Sequence, residues 1–121
     1  KLTPRDVIAL NNLAFAYQQL ADKRALSTAE QALSLAPGNA NLMDTLGWIQ
    51  VEQGQLSRGI DLLRKAAKAA PNALPIRYHL GAALARNGNS AEAKVELDAA
   101  LNGGKPFPEL EAAKQLRATL R

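Results

Sequence analysis

Landmarks in this sequence return every 34 residues. Pro37 and Pro71, Gly47 and Gly81, Gly54 and Gly88, Leu46 and Leu80, Leu63 and Leu97, and Ala66 and Ala100 are each 34 apart. Six coincidences at one offset mark an internal repeat. A repeat of this size cannot bury its apolar face alone and has to stack on its neighbours. Composition says what the repeat is made of. Alanine occurs 24 times and leucine 20 times, against 7 valines and isoleucines together. Ala and Leu are strong helix formers, whereas strands favour β-branched and aromatic side chains, so the units are helical.

Each unit reads as two helices. In the second unit a helix from about Asn41 to Glu52 stops at Gln53-Gly54, where glycine suits a left-handed cap, and another runs from about Leu56 to Ala69. Pro71 ends it, lacking an N–H and disfavouring helix in the residue before it. The third unit repeats the pattern: about Leu74 to Arg86, a stop at Asn87-Gly88, then Ser90 as N-cap of a helix that Asn102-Gly103-Gly104 terminates. In the first unit Thr3 is the expected N-cap with Pro4 at the first helical position, and the helix runs to about Ala21. Its partner spans about Lys23 to Ala36. Leu13 and Leu46 are 33 apart while Ala32 and Ala66 are 34 apart, so one residue is missing near Asp22-Lys23, in a turn without glycine. After Pro108, Leu110, Ala113, Leu116 and Leu120 recur at helical spacing, with Glu109, Glu111, Lys114, Arg117 and Arg121 on the other face. One amphipathic helix suits the exposed end of a stack.

Several kinds of chemistry are excluded by inventory. There is no cysteine, so disulfides, zinc–thiolate sites and cysteine nucleophiles are out, and His79 is the only imidazole. No apolar run approaches the roughly 18 residues that span a bilayer, so direct membrane insertion by this segment is not expected. The chain begins with Lys1 and carries no signal-peptide pattern, which reads as a processed product or a segment of a longer protein. Nothing in the sequence sets a serine and an acid beside His79, and the aspartates show no calcium-loop spacing. The glycines lack the spacing and the preceding strand of a phosphate loop. Glu92 and Glu96, with Lys94 between them, read as a solvated convex face. Arg58, Arg64, Lys65 and Lys68 form a basic cluster on one helix, but no aromatic is interleaved and the net charge is only +4, so nucleic acid is not an expected partner. No cofactor or metal is implied.

The residues resemble the tetratricopeptide repeat. The second unit supplies Met43, Leu46-Gly47, Gln50, Gly59, Leu63, Ala66 and Pro71; the third supplies Arg77, Leu80-Gly81, Leu84, Ala93, Leu97, Ala100 and Pro106; the first supplies Leu10, Leu13-Ala14, Tyr17, Ala25, Ala29, Ala32 and Pro37. Gln50 and Leu84 depart from the tyrosine common in the family. The resemblance implies an all-α, right-handed α-solenoid of about seven helices. Its three units lie at about 5–38, 39–72 and 73–105, with a capping helix over 107–121, in a single domain spanning 1–121. Small residues at 14, 47 and 81 and at 25, 59 and 93 stand where the paired helices would cross. Five strings, from Ala9-Leu10-Asn11-Asn12-Leu13-Ala14 through Asp44-Thr45-Leu46-Gly47-Trp48, Leu62-Leu63-Arg64-Lys65-Ala66 and Ile76-Arg77-Tyr78-His79-Leu80 to Lys105-Pro106-Phe107-Pro108-Glu109, are similar in order to the C-terminal part of bacterial tetratricopeptide lipoproteins. Those lipoproteins accompany exosortase (PEP-CTERM) sorting and exopolysaccharide export. That narrower likeness implies a periplasmic or outer-membrane-associated setting.

The family lines its concave face with first-helix residues. Carried over by position, the groove residues are Asn11, Asn12, Phe15, Gln18 and Gln19, then Asn41, Asp44, Trp48, Val51 and Glu52, then Tyr78, His79 and Arg86, with Ala82 and Ala85 beside them. Phe15 and Trp48 hold equivalent places and are expected to be neighbours. Aromatics flanked by amides and charges suit peptide recognition, although Trp48 equally suits packing between first helices. The clamp of Lys, Arg and Asn with which chaperone-binding members hold a C-terminal carboxylate is not present, because the matching places carry Asn11, Phe15, Thr45, Pro75 and His79. The expected function is a non-catalytic scaffold that binds a peptide or protein surface. The alternative is a structural cap or self-association module, with a homo-oligomer forming through the N-terminal face.

Overall fold

The computed structural model describes residues 4–120, with side chains from residue 6 onward. The expected cap at Thr3 and the outer-face position of Arg121 lie outside those residues. Among the described residues there are seven α-helices and no strand: α1 (Pro4–Gln19), α2 (Arg24–Leu35), α3 (Ala40–Glu52), α4 (Leu56–Ala69), α5 (Leu74–Arg86), α6 (Ser90–Leu101) and α7 (Leu110–Thr119). α1 pairs with α2, α3 with α4 and α5 with α6, while α2–α3 and α4–α5 join successive units. The first helices also touch one another, α1 to α3, α3 to α5 and α5 to α7. The result is an α-solenoid of two layers, α1, α3, α5 and α7 inside and α2, α4 and α6 outside. α7 packs on α6 and α5, where the first helix of a fourth unit would stand.

The crossings within units depend on missing side chains. A Cβ on Gly59 would stand 2.5 Å from Val51 Cγ2 and 2.6 Å from the Gly47 carbonyl oxygen, and one on Gly81 would stand 2.8 Å from Leu97 Cγ. Ala14, Ala25 and Ala93 hold the corresponding places elsewhere and are fully buried. Leu63 and Leu97 fill the space beside the crossings with no exposure. A leucine buried this way contributes about 1.5–3 kcal/mol.

The turns between paired helices share one design. Gly54 (φ 88°) and Gly88 (φ 84°) take the left-handed conformation, and the next residue sends its N–H back five residues, Gln55 to Gln50 and Asn89 to Leu84. This is the Schellman arrangement, which satisfies orphan carbonyls at a helix end. The first unit does the same without glycine. Ala21 adopts φ 55°, and the Asp22 N–H donates to the Tyr17 carbonyl at 2.8 Å. α1 therefore ends at Gln19 rather than near Ala21. The missing residue is taken up just after. Ala25 N–H bonds to the Asp22 carbonyl three residues back, whereas Gly59 and Ala93 bond four residues back to Gln55 and Asn89. Asp22 Oδ1 also accepts from the Arg24 N–H, and the Arg24 guanidinium grips both carboxylate oxygens. Those bonds hold the Asp22 carboxyl down to about 2.

Other local expectations shift by a residue or a face. Ser90 is the first residue of α6, and Asn89 holds the cap position without a side-chain hydrogen bond. Asn39 caps α3, accepting from the Asn41 and Leu42 N–H groups. Pro108 lies in the turn before α7 rather than at its start. Glu96 does not belong to a solvated face: it accepts from Arg77 at 2.7 Å in a partly buried pair, because α5 and α6 bring the two together. Arg117 likewise turns inward to Asp98 of α6. Leu13 is 41% exposed although Leu46 and Leu80 are buried at the equivalent positions. The same holds for Ala9 and Ala16, whose counterparts Leu42, Ile49, Ile76 and Ala83 are buried. In α3 and α5 that stripe rests on the preceding unit's second helix, which α1 does not have in this structure.

The crossing and turn geometries separate three substitutions. Gly59→Ala forces the helices apart and is expected to lower unfolding free energy by about 2 kcal/mol. Gly54→Ala meets open space but a strained φ, and should cost about 1 kcal/mol. Ala21→Gly relieves that strain and should raise stability by about 1 kcal/mol. Urea denaturation of the three variants reads all of these.

Candidate functional site

The inner helices present one stripe each to a shared hollow. Helical spacing puts positions 8, 11, 12, 15, 18 and 19 on one side of α1, and 41, 44, 45, 48 and 52 on one side of α3. Small residues on the opposite faces let α2 and α4 approach from behind. The stripes line a concave groove of about 1270 Å³.

Eleven of the thirteen residues carried over from the family pattern line it: Asn11, Asn12, Phe15, Gln18, Gln19, Asn41, Asp44, Trp48, Glu52, Tyr78 and His79. Two do not. Val51 is buried and packs against α4, its Cγ2 pointing at Gly59, because the close crossing draws that edge of α3 inward. Arg86 lies with Ala82 and Ala85 in a second cleft between α5 and α7, which shares Trp48 and Tyr78 with the groove. Thr45, Pro75 and Glu109 join the groove lining. Glu109 had no local signal pointing there. The sequence pattern set it on the outward face of the last helix, and only the docking of α7 beside α5 swings it inward.

Phe15 and Trp48 share the groove, but among the described residues no ring contact joins them. Trp48 instead stacks on His79, centroids 4.7 Å apart and planes 25° apart, with Tyr78 at 6.5 Å. The Arg86 guanidinium stands 5.0 Å from the Trp48 ring centroid. Trp48 thus meets both an imidazole and a cation, while Phe15 remains 49% exposed.

His79 is only 9% exposed and crosses from α5 to α3. Its Nδ1 lies 2.7 Å from Asp44 Oδ1. A carboxylate can only accept, so Nδ1 carries the proton and donates, which leaves Nε2 of the neutral ring an acceptor. Glu109 Oε2 stands 3.9 Å from Nε2, beyond hydrogen-bond distance. Asn11 Oδ1 and Glu109 Oε1 are buried with no hydrogen-bond partner. Gln18 is satisfied, accepting from Gln53 at 3.1 Å across the ends of α1 and α3. Burial pushes the Tyr78 phenol above its ordinary 10.0; the Glu109 carboxylate adds to this, Arg86 opposes it, and Glu52 adds a little more. No serine or threonine hydroxyl bonds to His79 among the described residues, and no group of three His, Asp or Glu side chains there could hold a metal ion.

The family model of the tetratricopeptide repeat matches residues 50–118. No curated protein sequence matches the chain. Among solved structures, the O-GlcNAc transferase of Thermobaculum terrenum superposes with a TM-score of 0.85 at 25% identity, over 98% of this chain and 23% of that one. MamA of AMB-1 superposes with a TM-score of 0.75 at 28% identity, over 93% of this chain and 66% of that one. The Yersinia enterocolitica type III secretion chaperone SycD, in complex with a peptide of the translocator YopD, gives a TM-score of 0.80 at 19% identity, over 97% of this chain and 90% of that one. At 19% identity that likeness is one of fold alone.

Two outcomes follow from the His79 cluster. Asp44→Ala strands a buried imidazole N–H and is expected to cost about 1–3 kcal/mol in urea denaturation. Added to His79→Ala it should cost less than the sum, because the two act as one unit. The raised Tyr78 phenol favours the protonated form on folding, so its stabilisation is complete below the unfolded value near 10 and is lost as pH rises through the folded one. Absorbance titration of a Tyr17→Phe variant should give a midpoint above 10.0, and Glu109→Gln should bring it down.

Proposed function

This chain belongs to the tetratricopeptide repeat family, and from that premise we propose that it is a non-catalytic scaffold holding an extended peptide segment or a protein surface in its concave groove. The observation that carries the proposal is the groove's unfinished hydrogen bonding. Asn11 Oδ1 and Glu109 Oε1 are shielded from water without a partner, in a hollow floored by aromatic rings. Buried acceptors left unpaired cost free energy, and a peptide backbone supplies N–H donors that would satisfy them once these side chains turn to meet it. The peptide bound in the SycD structure belongs to that chaperone, but it supports the view that a stack of this shape accommodates one.

Phe15 is the clean probe of this reading. Its ring is half exposed, so Phe15→Ala should change stability by no more than about 0.5 kcal/mol. As an aromatic anchor it should cost about 2 kcal/mol of binding. Trp48→Ala is less clean, because removing that ring also frees His79 and Arg86. Paired baits of the wild type and the folded Phe15→Ala variant, run against extract of the source organism, test the proposal. A partner kept by the first and lost by the second supports it, and identical recoveries overturn it.

A second reading has its own observation. The exposed stripe Ala9, Leu13 and Ala16 on α1 is the face that α3 and α5 bury against a neighbouring helix. A self-association role predicts a concentration-dependent mass in sedimentation equilibrium that Leu13→Lys abolishes. The narrower resemblance adds a setting for either role, protein sorting and polysaccharide export at a bacterial envelope. Deleting the gene in its source organism should then reduce surface polysaccharide.

A further inference from the structure

The groove has a sign opposite to that of the chain around it. Its lining includes three carboxylates, Asp44, Glu52 and Glu109, and among the described residues no lysine or arginine. The chain as a whole carries 15 Lys and Arg against 11 Asp and Glu. Outside the groove the acids are largely matched: Glu92 to Arg64, Glu96 to Arg77 and Asp98 to Arg117. Inside it Asp44 pairs with the His79 imidazole, while Glu52 and Glu109 have no lysine or arginine partner among the described residues. Glu109 meets only the imidazole edge at 3.9 Å, and one of its oxygens is buried without a donor. Asn11 adds a second buried acceptor without one.

The buried acceptors left open here ask for a donor, and the unmatched carboxylates ask for a cation. Aromatic walls fit the same ligand, because the ring face attracts an ammonium or guanidinium while the ring body packs its aliphatic stem. Phe15 and Tyr78 supply such walls, whereas Trp48 already has Arg86 near its ring. Burial is the first cause of the raised Tyr78 phenol, with Glu109 adding to it, Arg86 opposing and Glu52 adding a little more.

We propose that the groove selects basic segments, an extended peptide whose lysine or arginine side chains reach Glu52 and Glu109, with the Asn11 amide turning out to meet it. This deepens the reading of the groove as a peptide site and rests on it. The recognition is the inverse of a carboxylate clamp: the protein supplies the anions and the ligand the cations. Net charge makes the opposite prediction, since a chain of charge +4 attracts acidic peptides by long-range field alone. Local and global electrostatics can therefore be told apart.

The test is a large array of short random peptides probed with the labelled wild-type protein, Glu52→Gln, Glu109→Gln and Phe15→Ala. Glu52 is exposed and glutamine preserves the shape of both acids, so these variants should keep the wild-type helical signal. Peptides retained by the wild type should be enriched in Lys and Arg. Synthesised singly, they should bind each Gln variant about fivefold more weakly, a gap that narrows as salt rises and the Debye length falls below about 8 Å. Retained peptides that are acidic, or that show no charge preference, while Phe15→Ala still loses them, would overturn the basic selectivity and leave the groove standing as a peptide site. No retention of any peptide above background, or retention that Phe15→Ala leaves unchanged, would sink the peptide-site reading and this inference with it.

Discussion

Two helix backbones touching at Gly47 and Gly59 set the geometry that everything else in this molecule inherits. Their approach is close enough that a single methyl at position 59 would meet both a side chain and a carbonyl oxygen. Interiors are packed too densely to absorb that without movement. With the crossing closed, α4 lies flat behind α3, and the side of α3 that faces α1 and α5 is left to form the inner layer. The first and third units reach similar crossings with Ala14 against Ala25 and Gly81 against Ala93. Small residues at the crossings thus put chemically richer ones at the groove.

The turns serve the same end by different local means. Two units use glycine in the left-handed conformation, and the first forces alanine into it. What is common is the hydrogen bond five residues back, which satisfies a helix-end carbonyl and sets the angle at which the chain returns. The first unit loses a residue and keeps the angle by shortening the following turn, with Asp22 bonded to Arg24 to hold it. Conservation of the turn's shape matters more here than conservation of its residues.

Charge is sorted by layer. The outer and intermediate faces carry cross-helix pairs: Arg64 to Glu92 ties the second unit to the third, and Arg77 to Glu96 joins the two helices of the third. The inner face collects carboxylates around one imidazole. Burial makes those groups consequential. A carboxylate in open water has many partners, but one enclosed beside Tyr78 and His79 has whichever donor the fold or a ligand supplies. The groove therefore differs from the rest of the surface in lining carboxylates without lysine or arginine among the described residues, and that imbalance says more about a partner than its shape does.

The fold was legible in the sequence because its determinants are local and repeated. Ala and Leu choose helix residue by residue, prolines and glycines stop it, and a spacing of 34 shows through six positions without any structure. Most of the groove was legible too, since a helix of known phase puts Asn11, Phe15, Asp44 and Trp48 on one side by arithmetic. What sequence could not determine is which of those side chains find each other. Trp48 ends on His79 rather than Phe15, Val51 turns to the core, and Glu109 crosses from an expected outer face into the groove. These outcomes depend on rotations and offsets between helices, which no single helix encodes. The tertiary structure decided them, because a pair 35 residues apart, such as Asp44 and His79, exists only once neighbouring units have packed at one particular angle.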